Sequence, residues 1–347
     1  MTEKVNIRTI AQLAGCSPAT VSRVLSGRAG SIQISEATRE KLLAICEELD
    51  YHPSIHAGRF FSKRSRVIGF LLPDRMPPGD QGLSRALLAV CAELSNCSYR
   101  CLPLLCDEFF QNNEEYLNVF KRREIDALIV WGVRAEYTFP ARLTAERRPF
   151  LLLQNRMADY PAIYPAQRQA SRELTAMAIR RGARRLLSVT IDGSDSFAAR
   201  LQGFLDAAAG IGHQVLTISS GEELRPETEA FRRILHLHPD AIIAPSDTLA
   251  IRLEESLLEA GVRIPEEVMI AGGDDIFAAA HCRVPLTTFG WNWEEAAALC
   301  ASMLIEHLEH GAPLESRELP TRIVWRDSLP QFTETRPVQS GETAADA

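Results

Sequence analysis

Residues 17–27, SPATVSRVLSG, carry side chains suited to contact with DNA. The hydroxyl groups of Ser17, Thr20 and Ser22 can donate hydrogen bonds to phosphate oxygens. The guanidinium of Arg23 can donate two parallel hydrogen bonds to guanine O6 and N7. Small residues near the start of the segment would let the backbone approach the bases. The alternative is a surface helix with a solvated arginine.

Two short amphipathic helices must position these side chains. Asn6 can cap a first helix that Gly15 ends. Its apolar stripe consists of Ile7, Ile10, Ala11 and Ala14. Ser17 can cap a second helix, and Pro18 suits its first position because the N–H there has no intrahelical partner. Two helices joined by so short a turn form a helix-turn-helix, whose second helix can enter the major groove.

A third helix and a basic segment follow. Ser35 can cap the helix, whose apolar face comprises Leu42, Ile45, Cys46 and Leu49. Pro53 ends it, and Ser54 can cap a further helix of about two turns, which needs DNA or a second copy to order it. Phe60 and Phe61 lie among basic residues, which favours an apolar wedge for the minor groove. The alternative is that both rings pack on the following domain.

Charge separates the front of the chain from the rest. Residues 1–66 contain ten Lys and Arg against six Asp and Glu, a net charge of +4. The whole chain of 347 residues has 38 basic and 45 acidic residues, so the remainder has 28 against 39, a net charge of −11. A basic N-terminal segment joined to an acidic remainder is typical of a chain whose N-terminal segment contacts phosphate.

Several functional classes lack their sequence signals. No apolar run reaches about 18 residues and no secretory segment begins the chain, so neither a membrane span nor export is expected. The eight cysteines include no CxxC pair, so we expect reduced cytoplasmic thiols and no metal site. No P-loop, GxGxxG, GxSxG or HExxH motif occurs, so we expect neither catalysis nor a cofactor.

From Val67 onward, apolar runs alternate with amphipathic segments, which is typical of parallel sheets covered on both faces. The runs are VIGFLLP, YRCLPLL, DALIVW, PFLLLQ, RLLSVT, HQVLTI, DAIIAP, VMIAGG and LTTFGW. These nine strands indicate two sheets and two lobes, first crossed at residues 154–170. Ligands of such sheets bind beyond the carboxyl ends of the strands. Near those ends lie Asp74, Trp131, Asn155, Asp192, Arg200, Asp247, Asp274 and Trp291.

Two segments resemble the DNA-binding headpiece of the LacI/GalR (lactose-repressor) family. They are NIRTIAQLAGCSPATVSRVLSG and ISEATREKLLAICEELDYHPS, with the AxxAG turn and the TVSRVL recognition helix. The resemblance implies base contacts from Pro18, Ala19 and Arg23. It implies contacts to the DNA backbone from Asn6, Ser17, Thr20, Ser22 and Tyr51. It also implies a hinge helix that reaches the minor groove, here through Ser54, Ala57 and Phe60.

The hinge departs from that family pattern. Ser54 stands where the family has Asn, and Phe60 stands where it has Leu. Gly58 lies inside the expected helix, at a cost of roughly 1 kcal/mol relative to Ala. The loop before the third helix, SGRAGSIQIS, is also longer than usual. We therefore expect a hinge that orders weakly or late, with Phe60 as a bulkier wedge.

The body resembles the periplasmic-binding-protein-like regulatory domain of the same family, through RLQGFLDAA, PLTTF and residues 239–275. The resemblance implies effector contacts from Arg200, Asp247 and Asp274, to which we add Asp74 at the end of the first strand. Residues 166 and 167 lack the acid-amide pair of the family, and Gly273 replaces an aromatic residue. These losses weaken the case for a simple sugar effector. The alternative role of Arg200 is a structural ion pair.

The sequence thus predicts a small all-α helix-turn-helix headpiece followed by an α/β two-lobed domain with parallel sheets. We place the headpiece at residues 1–53, the hinge and linker at 54–66, the effector and dimerisation domain at 67–329, and a polar tail at 330–347. The predicted function is a cytoplasmic, ligand-responsive repressor. It would bind a palindromic operator as a homodimer. The alternatives are a transport-type binding protein or an enzyme that uses Asp274 and Asp275 in the cleft.

Overall fold

A computed structural model describes residues 6–26, 34–51, 64–74, 81–219 and 222–331. The chain divides into two compact units, Met1–Ser65 and Arg66–Ala347. None of the described helices combines the length and the apolarity that a membrane crossing requires.

The first unit contains the three predicted helices, α1 (Ile7–Ala14), α2 (Pro18–Ser26) and α3 (Glu36–Glu48). The side chain of Asn6 accepts the N–H groups of Arg8 and Thr9, and Gly15 ends α1 with a left-handed φ of 70°. The three helices enclose one apolar core, formed by Ile10, Ala11, Ala14, Val21, Leu42 and Cys46. The caps are local and the core is small, so this unit follows directly from its sequence pattern.

The first lobe of the second unit is built on a six-stranded parallel sheet of order β11-β5-β4-β3-β1-β2. Its strands are β1 (Val67–Pro73), β2 (Arg100–Cys106), β3 (Ala127–Trp131), β4 (Phe150–Leu153), β5 (Ala162–Pro165) and β11 (Arg317–Leu319). Two apolar clusters cover its two faces. The helices of this lobe are α4 (Gln81–Asn96), α5 (Glu108–Asn112), α6 (Glu115–Lys121), α7 (Phe139–Ala145) and α12 (Trp293–His310).

The second lobe is built on a four-stranded parallel sheet of order β7-β6-β8-β9. Its strands are β6 (Arg185–Ile191), β7 (Gly212–Ile218), β8 (Ala241–Ile243) and β9 (Met269–Ala271). Its helices are α8 (Gln167–Arg180), α9 (Asp195–Ala208), α10 (Glu229–His236), α11 (Asp247–Glu259) and a 3-10 turn at Phe277–Ala280. Apolar clusters again lie on both faces, which agrees with the unbroken apolar runs in the sequence.

One detail of the predicted body is wrong, and another is incomplete. The run LTTFGW contributes β10 (Thr288–Gly290), which pairs antiparallel with β12 (Arg322–Val324), and an isolated parallel bridge joins Thr287 to Ala271 of β9. The crossing segment at residues 154–170 contains β5 before α8 begins at Gln167. The prediction missed β5, β11 and β12 because each is only three or four residues long, and β11 and β12 have no fully buried side chain.

Candidate functional site

The outer face of α2 presents the residues predicted to contact DNA. Ser17, Pro18 and Ala19 are exposed, whereas Val21 on the opposite face is fully buried. Ser17 Oγ accepts the Thr20 N–H at 3.1 Å and lies 2.9 Å from Thr20 Oγ1. This cap fixes both hydroxyl groups at the start of the helix, where backbone N–H groups favour a phosphate.

The other predicted headpiece contacts are spread around this face. Ser22 and Arg23 are half-buried on α2, and Asn6 is exposed at the start of α1. The Oδ1 of Asn6 is engaged in its cap, so its amide N–H₂ is the group able to donate to a phosphate. Tyr51 is half-buried after α3, and burial raises the pKa of its phenol. Its hydroxyl therefore stays protonated at neutral pH and can act as a donor.

The hinge residues Ser54, Ala57 and Phe60 lie outside the described residues, and their predicted roles stay predictions.

In the second unit, a small cavity lies where the carboxyl ends of the strands of both lobes meet. Its volume is about 10 Å³, which is room for about one water molecule. Its lining residues are Gln154, Pro165, Arg200, Asp274, Phe289, Gly290, Trp291 and Trp293. The predicted effector residues Arg200 and Asp274 are therefore brought together here. Asp74 is exposed at the end of β1 and does not line this cavity.

Arg200 forms one wall of the cavity and is only 7% exposed. Its Nε donates to Gln167 Oε1 at 2.5 Å and its Nη2 donates to Asp274 Oδ1 at 2.6 Å. Its Nη1 donates to the carbonyl oxygen of Pro245. The ring of Phe289 lies beneath the guanidinium, with its centroid 4.8 Å from Cζ. Three hydrogen bonds and a cation–π contact thus hold Arg200 rigidly.

Asp247 lies behind this wall and is fully buried. Its carboxylate accepts the Thr288 hydroxyl at 2.5 Å and the Ile276 N–H at 3.0 Å. Burial, and then the nearby Asp274 charge, raise the pKa of Asp247 to about 7. Asp247 therefore holds the turn that carries Asp274, and its carboxylate does not line the cavity.

The adjacent carboxylates of Asp274 and Asp275 face different partners. Asp274 binds Arg200, whereas Asp275 accepts Arg326 Nη2 at 2.8 Å. Both residues have left-handed backbones, with φ of 116° and 49°. This strained turn directs the Asp274 carboxylate to the cavity and the Asp275 carboxylate to Arg326, which follows β12.

The aromatic residues of the first lobe form a continuous series of rings beside the cavity. Trp131 contacts Trp293 with ring centroids 5.2 Å apart, and Trp293 contacts Trp291 at 4.6 Å. Sequence reasoning singled out Trp131 and Trp291 at strand ends but missed Trp293, Phe289, Gln154 and Gln167. The spacing in TFGWNW was the available signal, because it puts rings at alternate positions across the end of a strand.

Two family models match the chain. Residues 6–54 match the model for bacterial regulatory proteins of the lacI family, and residues 175–329 match a periplasmic binding protein-like domain. The first match spans the helix-turn-helix described above, and the second spans most of the second lobe. The chain has a lacI-family DNA-binding domain and a periplasmic binding protein-like domain. It is therefore a transcriptional regulator with a DNA-binding headpiece.

Known repressors match this chain, one over nearly its full length and one over little more than a third of it. The ribose operon repressor of Halalkalibacterium halodurans is 27% identical over 330 residues, which cover 93% of this chain and 96% of the relative. The sucrose operon repressor of Klebsiella pneumoniae is 37% identical over 129 residues, which cover 37% of this chain and 38% of the relative. These relatives are named as repressors and not as enzymes.

Solved structures share the fold. The lac repressor dimer bound to operator and the anti-inducer ONPF has a TM-score of 0.81 at 18% identity, covering 94% of this chain and 100% of that chain. A complex of the transcriptional regulator CelR with cellobiose has a TM-score of 0.66 at 22% identity, with the same coverage.

The structure accounts for two departures of this chain from the LacI-family pattern. A Cβ atom at Gly273 would lie 2.6 Å from the Phe289 ring and 2.7 Å from Arg200 Nη1. A side chain at residue 273 would therefore meet the Phe289 ring, which comes from the neighbouring strand. Gln167 binds both Arg200 and Ser196, the latter at 2.8 Å, so it positions the guanidinium.

The raised pKa of Asp247 gives a pH dependence. The folded chain holds the proton of the Asp247 carboxyl more tightly than the unfolded chain does. Between pH 3.8, the ordinary pKa, and about pH 7 the folded chain therefore binds more protons. The contribution of Asp247 to the free energy of unfolding therefore decreases as pH rises through that window. Asp247→Asn keeps the hydrogen bonds of a neutral carboxyl, because the Thr288 hydroxyl can turn toward the Phe289 carbonyl oxygen at 3.4 Å.

The wild type should lose stability over this range and Asp247→Asn should not. We therefore expect the free energy of unfolding of Asp247→Asn, relative to that of the wild type, to rise by roughly 2 kcal/mol between about pH 5 and about pH 8. Urea unfolding of both proteins at the two pH values measures this difference. Glu254, whose pKa burial also raises, titrates in both proteins and cancels from the comparison. Parallel pH profiles would show that Asp247 is ionised throughout.

Proposed function

We propose that this regulator is a cytoplasmic repressor that binds a near-palindromic operator as a homodimer. One headpiece presents one recognition helix, which spans only a half-site, and a two-fold pair of helices reads both halves. The exposed face of α2, held by the Ser17 cap, is the observation that carries this proposal. The operator-bound dimer of the lac repressor, which shares the fold, supports it.

The contacts are assigned by the chemistry of each side chain. Arg23 reads a guanine, while Pro18 and Ala19 let the helix lie close to neighbouring base edges. The backbone contacts come from groups that can donate to phosphate, on Asn6, Ser17, Thr20, Ser22 and Tyr51. The minor-groove contacts at Ser54, Ala57 and Phe60 complete the proposed surface.

A small-molecule effector in the cavity between the lobes would control DNA affinity. Arg200 and Asp274 would contact it directly, Asp74 would approach from the first lobe, and Asp247 would hold the turn beneath Asp274. Effector binding would favour one arrangement of the two lobes over the other. The spacing between the two hinges of the dimer would change with it, and so would the affinity for DNA. The buried, hydrogen-bonded state of Arg200 supports this role, because ligand contacts need rigidly placed side chains.

Replacing Arg23 by alanine tests the base-reading role. The operator is first obtained by selecting bound sequences from a random DNA pool. We expect Arg23→Ala to weaken operator binding by about 1–3 kcal/mol and to relax the preference at one base pair of each half-site. Mobility-shift titrations against operators changed at single positions measure both effects.

The matched control is Arg39→Ala on the exposed surface of α3, which should change affinity little at any sequence. An equal loss on all sequences in Arg23→Ala would show that Arg23 contacts phosphate only. Selection that yields no preferred sequence, with or without added metabolites, would contradict the proposed function itself.

A further inference from the structure

We infer that the effector is a neutral, flat ring compound with a hydrogen-bond acceptor on its edge. This inference rests on the proposed effector site between the lobes and names the chemistry of its ligand. It is carried by three features of the cavity: an unused donor, aromatic walls and polar groups already bound to one another.

The unused donor is the indole N–H of Trp291. Trp291 is 7% exposed and lines the cavity. Its Nε1 is buried, and no acceptor within the described parts of the chain reaches it. A buried donor without a partner is unfavourable, so a ligand that brings an acceptor to this atom gains a hydrogen bond that the ligand-free protein lacks.

The walls of the cavity are mostly rings. Trp291 and Trp293 line it from the first lobe, and Phe289 lines it beside Arg200. Because the present volume is about 10 Å³, any ligand must move these walls apart. A planar ring needs the smallest separation and keeps stacking contact on both of its faces, whereas a puckered ring needs more.

The polar groups around the cavity are largely bound to one another. Arg200 already donates to Gln167, Asp274 and the Pro245 carbonyl oxygen. Its charge is balanced by Asp274, and Asp247 lies behind the pair. A charged ligand would disturb this balance, and a ligand with many hydroxyl groups would compete for partners that are in use. A neutral flat ligand with a single acceptor can contact Arg200 and Asp274 with its ring and leave these hydrogen bonds in place.

Quinoline and naphthalene form a matched pair of probes, because both are flat and only quinoline has a ring acceptor. We expect the full-length protein to bind quinoline about tenfold more tightly than naphthalene, which corresponds to one hydrogen bond. Trp291→Phe keeps a ring but removes the N–H, so both probes should then bind with similar affinity. Isothermal titration calorimetry measures each affinity, and quenching of tryptophan fluorescence places the ligand near the ring series.

Trp325→Phe is the control, because Trp325 packs against the second-lobe cluster that contains Phe289 but does not itself line the cavity. It should keep the tenfold preference, and thermal unfolding checks that both variants are folded. The inference is overturned if glucose or cellobiose binds more tightly than quinoline, if Trp291→Phe keeps the preference, or if neither flat probe binds. Operator selection and release by a sugar would then still support the proposed function. Conversely, quinoline binding without any DNA preference would contradict only the proposed function.

Discussion

Replacing Arg200 by methionine is expected to lower the free energy of unfolding of the two-lobed unit by about 3–5 kcal/mol. The Arg200 side chain is 8% exposed and its Asp274 partner is 29% exposed, with 2.6 Å between their charged atoms. Methionine fills much of the volume but leaves Asp274, Gln167 and the Pro245 carbonyl oxygen without their donor. The loss of the Arg200 donor at these acceptors accounts for most of the decrease. Urea unfolding followed by far-UV circular dichroism measures it.

Arg168→Met is the matched control. Arg168 and Asp206 are also 2.6 Å apart, but the arginine side chain is 61% exposed. Water can replace an exposed partner, so we expect this substitution to cost no more than about 1 kcal/mol. Similar decreases in the free energy of unfolding of the two variants would contradict this prediction. They would mean that burial does not strengthen the Arg200–Asp274 ion pair. The double variant Arg200→Met with Asp274→Leu should lose less than Arg200→Met alone, since it also removes the carboxylate that accepted from Arg200.

The three described helices of the headpiece could be predicted from the sequence because their signals are local. Asn6, Ser17 and Ser35 each accept N–H groups only two or three residues further along the chain. Gly15 ends α1 through a left-handed φ that glycine adopts without strain. The apolar spacing then identifies the buried faces of the helices, and three helices of this size leave few alternative packings.

The cavity could be predicted only in part, because its geometry depends on contacts between distant segments. Strand ends identified Arg200 and Asp274, but nothing in the sequence places Asp247 behind them, where Thr288 and Ile276 bind its carboxylate. The loss of an aromatic residue at 273 suggested a poorer stacking surface. In the structure Phe289 supplies that ring from the neighbouring strand. A single sequence does not reveal which of two strands fills a shared space.

Gly203 is another residue whose role depends on a contact between distant segments. Its replacement is the second substitution that we expect to destabilise the protein strongly. The sequence segment RLQGFLDAA gave no reason for a glycine inside a helix, where it costs about 1 kcal/mol relative to alanine. The structure provides the reason, because α9 packs closely on α8 at this position. A Cβ atom at Gly203 would lie 2.0 Å from the carbonyl oxygen of Arg168 and 3.0 Å from the backbone nitrogen of Arg172.

We therefore expect Gly203→Ala to lower the free energy of unfolding by roughly 2–3 kcal/mol, despite the better helix propensity of alanine. The contacted atoms belong to the backbone of α8, so no side chain can rotate away and the two helices must separate. Ala198→Gly, on the exposed face of the same helix, is the control. It should cost about 1 kcal/mol through propensity alone. If Gly203→Ala instead stabilised the protein by that amount in urea unfolding, the two helices would not be in close contact at this residue.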